Sequence, residues 1–331
     1  MTVRLTSGLG NRFFQLAAAA TYAAAHDRQL VIFDDWVPEA VHDASANEVL
    51  WTIVKATHVP HGPPSGTYTV VRGSYETILE HESTSELVVL EGYFQDARFA
   101  EGLRPYVQDF LNSVTRQVPR QSNIVFLHVR LGDYKHTTGN MHYINIGRFY
   151  QRAIPLVETS KTFEIYSDEP AKAEEIVGPF LGKHNYAMAP RGELMTTLKH
   201  LISCSGAIIA NSTFSWWAAQ FMVWSWRFAF VMVPEPWRRL KVLPNLLWKI
   251  SRRIEPIGTM VVPGSNQWKG IEFDAVKVLG SEVIIVSAIV TAIVGIILLA
   301  IYRSAAIRYS MKRLAVTGAT ALAVNGLVAA V

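Results

Sequence analysis

A single cysteine, Cys204, in 331 residues leaves no partner for an internal disulfide and excludes a disulfide framework. No Asp-x-Asp triplet occurs either, the nearest approach being the adjacent pair Asp34 and Asp35, so a metal clamp built on that spacing is absent. Charge of one sign is also scarce over most of the chain. Of 31 Lys and Arg set against 27 Asp and Glu, four basic residues and no acids fall within residues 303–331, and the remainder is balanced. That balance gives nucleic-acid binding no support. No internal repeat is evident. The aromatic run SWWAAQFMVWSW, residues 215–226, is too short and too close to Arg227 for a bilayer crossing.

Among what is present, residues 123–131, NIVFLHVRL, are apolar and β-branched and read as a strand; Gly132 and Asp133 then turn the chain. Period-two alternation predicts Phe126, His128 and Arg130 on one face, with Leu127, Val129 and Leu131 on the other. An arginine just past a strand end stands where open α/β sheets keep their ligands. Its planar fork suits a carboxylate or a phosphate pair. Two readings are open at this point: a ligand anion, or a structural salt bridge from Arg130 to Asp133 or another acid.

Three further segments bear on that choice. Residues 2–26 read as a short strand, a turn at Gly8 and Gly10, and an alanine-rich helix from Asn11 to about His26. The segment EGYFQDARF, residues 91–99, follows the strand-like ELVVL. In IIANSTFSWWAAQF, residues 208–221, a strand runs into a polar turn and then an apolar helix. Asn211 or Ser212 can cap that helix, and its first-turn amides suit an anion.

Taken together, GLGNRFFQLA (8–17), GYFQ (92–95), HVRLGDY (128–134), YSDE (166–169), NSTFSWWAA (211–219) and FVMVPEPW (230–237) resemble the α-1,2-fucosyltransferases, glycosyltransferase family 11. Their order covers roughly residues 1–240. The resemblance implies a metal-independent, inverting transfer of L-fucose from GDP-β-L-fucose to a glycan hydroxyl, typically the 2-OH of a terminal galactose, with no cofactor beyond the donor substrate. It implies that Arg130 holds the donor diphosphate and that Asn11 lies at the active centre. His128, Gly132, Asp133, Ser167, Asp168, Asn211, Ser212, Ser215 and Trp216 follow as donor-pocket candidates, and the acceptor side falls to Gly10, Arg12, Tyr93 and Gln95. Arg12 departs from the family's usual glutamine, and either alters acceptor contacts or faces solvent.

The chemistry agrees with that assignment. Breaking a glycosyl–phosphate bond builds charge on the leaving diphosphate, which a fixed arginine and helix-start amides can neutralise. Asp133 and His128 are the nearest base candidates in sequence. Each has a plainer alternative: Asp133 can orient Arg130, and His128 can be a satisfied core histidine. Asp168, after the strand TFEIYS, suits a ribose or guanine contact or a helix cap. Helical spacing makes most of the tryptophans core, with Trp216 the one closest to the Asn211 turn.

Strands alternating with helices predict an α/β fold of two Rossmann-like lobes, residues 1–115 on the acceptor side and 120–262 on the donor side, in the two-lobed (GT-B-like) glycosyltransferase arrangement. Residues 58–66, HVPHGPPSG, form a Pro/Gly loop in the first lobe. Residues 263–282 read as a linker. Residues 283–302, VIIVSAIVTAIVGIILLAIY, are uncharged and long enough for a transmembrane helix, and the basic, apolar tail 303–331 holds a possible second membrane segment. The expected location is a membrane, by a single-pass or hairpin anchor. The basic flank points to a lumenal catalytic domain by the positive-inside rule, whereas the lack of a recognisable leader and of disulfides points to the cytosolic face. The alternatives to transfer onto a β-galactoside are a protein or other polysaccharide fucosyltransferase, and a membrane-tethered GDP-fucose- or glycan-binding pseudoenzyme.

Overall fold

Short β-branched runs alternate with apolar helices, and in the computed structural model, which describes residues 1–38, 45–64, 66–132, 146–235 and 268–272, they assemble into parallel sheets. Residues 1–275 form one compact unit. Its first part contains β1 (Thr2–Val3), α1 (Leu9–Ala25), β2 (Val31–Phe33), α2 (Ala46–Ile53), β3 (Thr57–Val59), β4 (Thr69–Val71), α3 (Tyr75–Leu79), β5 (Val88–Leu90) and α4 (Ala100–Gln117). Strands pair in the order β1-β5-β4, and β2 pairs with β3. A backbone hydrogen bond from Val31 N to Met1 O, 2.9 Å, ties β2 to the free side of β1. The chain thus builds outward from β1 in one direction through β2 and β3, then returns to its other side with β4 and β5.

The second part contains β6 (Gln121–Val129), α5 (Ile146–Ala153), β7 (Thr162–Ser167), α6 (Pro170–Leu181), β8 (Asn185–Met188), α7 (Leu194–Ser203), β9 (Cys204–Ile208), α8 (Thr213–Ser225), β10 (Phe230–Glu235) and β11 (Trp268–Glu272). Six parallel strands lie in the order β11-β10-β9-β6-β7-β8. Growth runs from β6 toward β8 and then switches to the opposite side at β9. In such sheets the crevice outside the carboxyl ends, at the switch point, takes the ligand.

The alternation expected along β6 holds. Val125, Leu127, Val129 and Leu131 pack with Phe149, Tyr150 and Val177 on one face. Phe126 belongs to the other face, in a core that continues through α1, α4 and α8 to Val3 and Leu90 of the first sheet. Helix α1 lies within this shared core and buries 13 of its 17 residues. Its alanines favour helix and let neighbours approach closely, and a helix apolar all round belongs inside a protein. Residues 263–282, expected as a linker, contribute β11, which pairs in parallel with β10. The apolar run 283–302 and the tail 303–331 lie outside the described residues. Among the described residues no helix is long and apolar enough to cross a membrane.

Candidate active site

The switch point of the second sheet is built around Arg130. Strand β6 ends at Val129, and one residue later the Arg130 guanidinium meets the Asp168 carboxylate, Nη1 to Oδ2, at 3.0 Å. Both side chains are about a quarter exposed, at 26% and 23%. The other carboxylate oxygen, Oδ1, accepts the Leu131 amide at 3.0 Å. Asp168 follows β7, the neighbour of β6, so register alone brings the two strand ends together. Gly132 makes this approach possible, since a Cβ there would lie 2.4 Å from Asp168 Oδ2. Arg191 Nη2 donates to the Asp168 carbonyl at 3.0 Å. Asp168 therefore does not cap α6, whose N-cap is Glu169 with Pro170 in the first turn. Ser167 Oγ accepts from Glu169 N at 3.0 Å and so fixes the turn behind Asp168.

His128 shares the Arg130 face of β6. Burial and then the neighbouring Arg130 charge push its pKa down to about 4, against a smaller opposing pull from Asp168. The imidazole is consequently neutral near pH 7, and its Nδ1 has no hydrogen-bond partner among the described residues. Such a low pKa makes it a weak general base. Asp133, the other base candidate, lies outside the described residues.

Strand β9, on the far side of β6, leads through Asn211 and Ser212 into α8. Asn211 is 3% exposed. Ser212 occupies the N-cap position of α8 with no side-chain cap bond, while Ser215 Oγ, fully buried, turns back to Ser212 O at 3.1 Å. Ser215 thus serves the helix start itself. Trp216 is a correction to the sequence reading: it is fully buried, with its ring centroid 4.8 Å from that of Phe14 and 5.0 Å from that of Trp217. Helix α8 is apolar on nearly every side, so position near the turn does not bring a ring to the surface.

The switch point of the first sheet lies between β1 and β5, and there the remaining candidates gather. Asn11 stands in the first turn of α1, and Gln95 Nε2 donates to its Oδ1 at 2.7 Å. A residue missed by the sequence reading ties the flanking loops together: Gln15, 1% exposed. Its Oε1 accepts Thr6 N at 2.9 Å, and its Nε2 donates to Thr6 Oγ1 and Gly92 O, both at 3.0 Å. One buried amide so joins the loop after β1 to the loop after β5. Its signal in the sequence is a polar side chain one turn after Asn11 and Arg12, just before the alanine run of α1.

Gly10 and Arg12, assigned to the acceptor side, have other work here. A Cβ at Gly10 would lie 2.4 Å from Phe214 N and from Thr213 C, so its lack of a side chain lets the first turns of α1 and α8 touch. This contact brings the two switch points together. Arg12 is fully buried and does not face solvent. Its Nε donates to Ser7 O at 2.9 Å, Nη2 to Pro38 O at 2.8 Å, and Nη1 to Asn47 Oδ1. Burial lowers its pKa. A cavity of about 1010 Å³ flanking β2, β3 and α2 is lined by Trp51, Lys55, His58 and Tyr106 among others, and by none of the candidate residues.

Comparison with known proteins gives three findings. Residues 64–224 match the family model described as glycosyl transferase family 11. The O-antigen biosynthesis glycosyltransferase WbnK of Escherichia coli is 27% identical over 151 residues, 39% of this chain and 49% of the relative. The chain thus spans about half the length of the curated relative it matches. Among solved structures, the fucosyltransferase NodZ from Bradyrhizobium aligns at 13% identity and a TM-score of 0.36, covering 66% of this chain and 91% of that one. The E. coli heptosyltransferase WaaC with ADP aligns at 9% identity and a TM-score of 0.38, covering 83% and 93%. Both structural likenesses are loose.

Proposed function

We propose that this chain, whose residues 64–224 belong to glycosyl transferase family 11, is an inverting fucosyltransferase that moves L-fucose from GDP-β-L-fucose to a glycan hydroxyl, most specifically the 2-OH of a terminal galactose. The observation that carries the reading is Arg130, fixed by Asp168 at 3.0 Å at the switch point of a parallel sheet. A guanidinium held in this way needs little reorganisation when charge develops on a leaving diphosphate. Asp168 orients the guanidinium, whose planar fork matches the oxygens of a diphosphate. The amides of the first turn of α8 add the positive end of a helix dipole on the neighbouring strand.

On this reading the donor breaks toward an oxocarbenium-like sugar while its diphosphate is neutralised by Arg130, with no divalent metal taking part. The missing Asp-x-Asp triplet supports an arginine-based clamp. Inversion requires the acceptor hydroxyl to enter from the face opposite the leaving group. Asn11 and Gln95, joined at 2.7 Å at the other switch point, suit that side because their amides can bond a hydroxyl without competing for the phosphates. His128 is kept neutral beside Arg130, so it adds no second positive charge there. The apolar run 283–302 supports attachment to a membrane.

The test is transfer by the full-length chain from GDP-fucose to a panel of β-galactosides, read by mass spectrometry, beside Arg130→Ala. Loss of one such charge-stabilising donor removes about 3–4 kcal/mol of transition-state stabilisation, so the variant should be slower by two to three orders of magnitude. Equal rates from the two proteins, or no transfer together with no binding of GDP-fucose, refute the assignment.

A further inference from the structure

The loop after β5 combines left-handed backbone with an exposed aromatic ring. Gly92 turns with φ +157°, Phe94 takes a left-handed φ of +48°, and Ser7, on the facing loop after β1, takes one of +63°. A left-handed conformation is unfavourable for a non-glycine residue. Phe94 turns inward to 8% exposure, and a Cβ at Gly92 would lie 2.9 Å from its ring, so the glycine clears room for it. With Phe94 directed inward, Tyr93 is directed outward and is 55% exposed. It is not loose, because its hydroxyl lies 3.3 Å from Ser7 Oγ. Gln15 fastens the two loops together beneath it through Thr6 and Gly92.

Two left-handed residues and a buried amide therefore fix an aromatic ring in water, two residues from Gln95 and its bond to Asn11. Such a ring gains little by burial. Strained backbone that the surrounding structure over-determines clusters at ligand sites. An aromatic face, electron-rich at its centre, attracts the polarised C–H bonds of a pyranose, while the phenol rim stays hydrogen-bonded.

We propose that Tyr93 is a preformed stacking platform for the acceptor, taking the C–H face of a neutral pyranoside while one of its hydroxyls reaches Asn11 and Gln95. The inference rests on the transfer reading and names the acceptor's subsite within it. A neutral sugar is favoured because the ring itself supplies no charge, and the neighbouring Ser7, Asn11 and Gln95 side chains are all uncharged.

The experiment measures initial rates of the full-length chain with GDP-fucose and lactose, varying each in turn, for wild type, Tyr93→Ala and Tyr93→Phe. Tyr93→Ala should raise the acceptor KM about tenfold, the upper end expected of an aromatic contact, and leave the KM for GDP-fucose within about twofold. Tyr93→Phe, which keeps the ring, should restore the acceptor KM. An unchanged acceptor KM in Tyr93→Ala overturns the proposal, and so does a parallel rise in both KM values. Failure of wild type to transfer to lactose and to the panel of β-galactosides would sink the transfer reading itself, a result distinct from wild-type transfer with an indifferent Tyr93→Ala.

Discussion

Asp168→Asn is the sharpest perturbation of the site, because it alters one atom of the Arg130 support and almost nothing of its shape. In the native arrangement Oδ1 accepts the Leu131 amide and Oδ2 faces Arg130 Nη1, each at 3.0 Å. An asparagine keeps the oxygen toward Leu131 and sets an NH2 donor against the guanidinium. The lost bond involves two charged groups only about a quarter exposed, at 26% and 23%, and a hydrogen bond to a charged group contributes about 1.5–3 kcal/mol. If all of that stabilisation serves the orientation of Arg130, kcat/KM falls roughly 10- to 150-fold. This is a smaller loss than for Arg130→Ala, since the cation remains. The companion variant is Gly132→Ala, whose Cβ would lie 2.4 Å from Oδ2 and must displace the same carboxylate. Steady-state transfer from GDP-fucose should show both single variants impaired and the double variant little worse than the poorer single one, as expected of two changes acting through one contact. Additive losses, or an Asp168→Asn variant with the wild-type rate, would refute the view that Asp168 positions Arg130.

Two other outcomes follow from the same geometry. Gly10→Ala sets a methyl 2.4 Å from backbone atoms of Thr213 and Phe214, which cannot rotate away; overpacking of this kind costs about 1–3 kcal/mol, to be read from the denaturation midpoint, and transfer should fall with it as α1 and α8 separate. His128, whose pKa drops from 6.5 to about 4 on folding, binds its proton in the unfolded chain before it does so in the native one. Stability from this group is complete above about 6.5 and declines as pH falls toward 4. His128→Gln should flatten that part of the stability-versus-pH curve, and an unchanged slope would show that His128 is not its source.

Much of this arrangement is legible in the residues. The strand TFEIYS is found at Thr162–Ser167 as expected, and alternation along β6 sorts Phe126 from Val125 and Leu127 onto separate cores. These features are local, set by periodicity and turn chemistry. What sequence does not give is which strand end faces which. Asp168 is separated from Arg130 by a whole crossover, and only the pairing of β6 with β7 turns a possible helix cap into the partner of the guanidinium. Arg12 shows the same limit from the other side. An arginine in the first turn of a helix reads as an acceptor contact or a solvent-facing charge, yet the Ser7 and Pro38 carbonyls and Asn47 surround it inside the protein. Trp216 follows a polar turn in sequence and is nevertheless fully buried, because proximity in sequence says nothing about the side of the helix on which the ring lies.

The two sheets repeat one device and divide the labour between them. In each, the chain builds outward from one strand, β1 or β6, and then crosses to its other side, leaving a gap at the carboxyl ends between β1 and β5 and between β6 and β9. Beside the second gap β6 ends in a cation, fixed by a carboxylate from β7 on its other side; the first gap holds neutral amides and an exposed phenol. An anionic leaving group and a neutral incoming hydroxyl need those two environments in that order, and they need them close together. Gly10 supplies the closeness, because only a residue without a side chain lets the start of α1 rest on the start of α8. A larger residue there would leave both half-sites intact in chemistry and separate them in space. Transfer, which requires both at once, should accordingly suffer more from a change at Gly10 than binding of the donor alone.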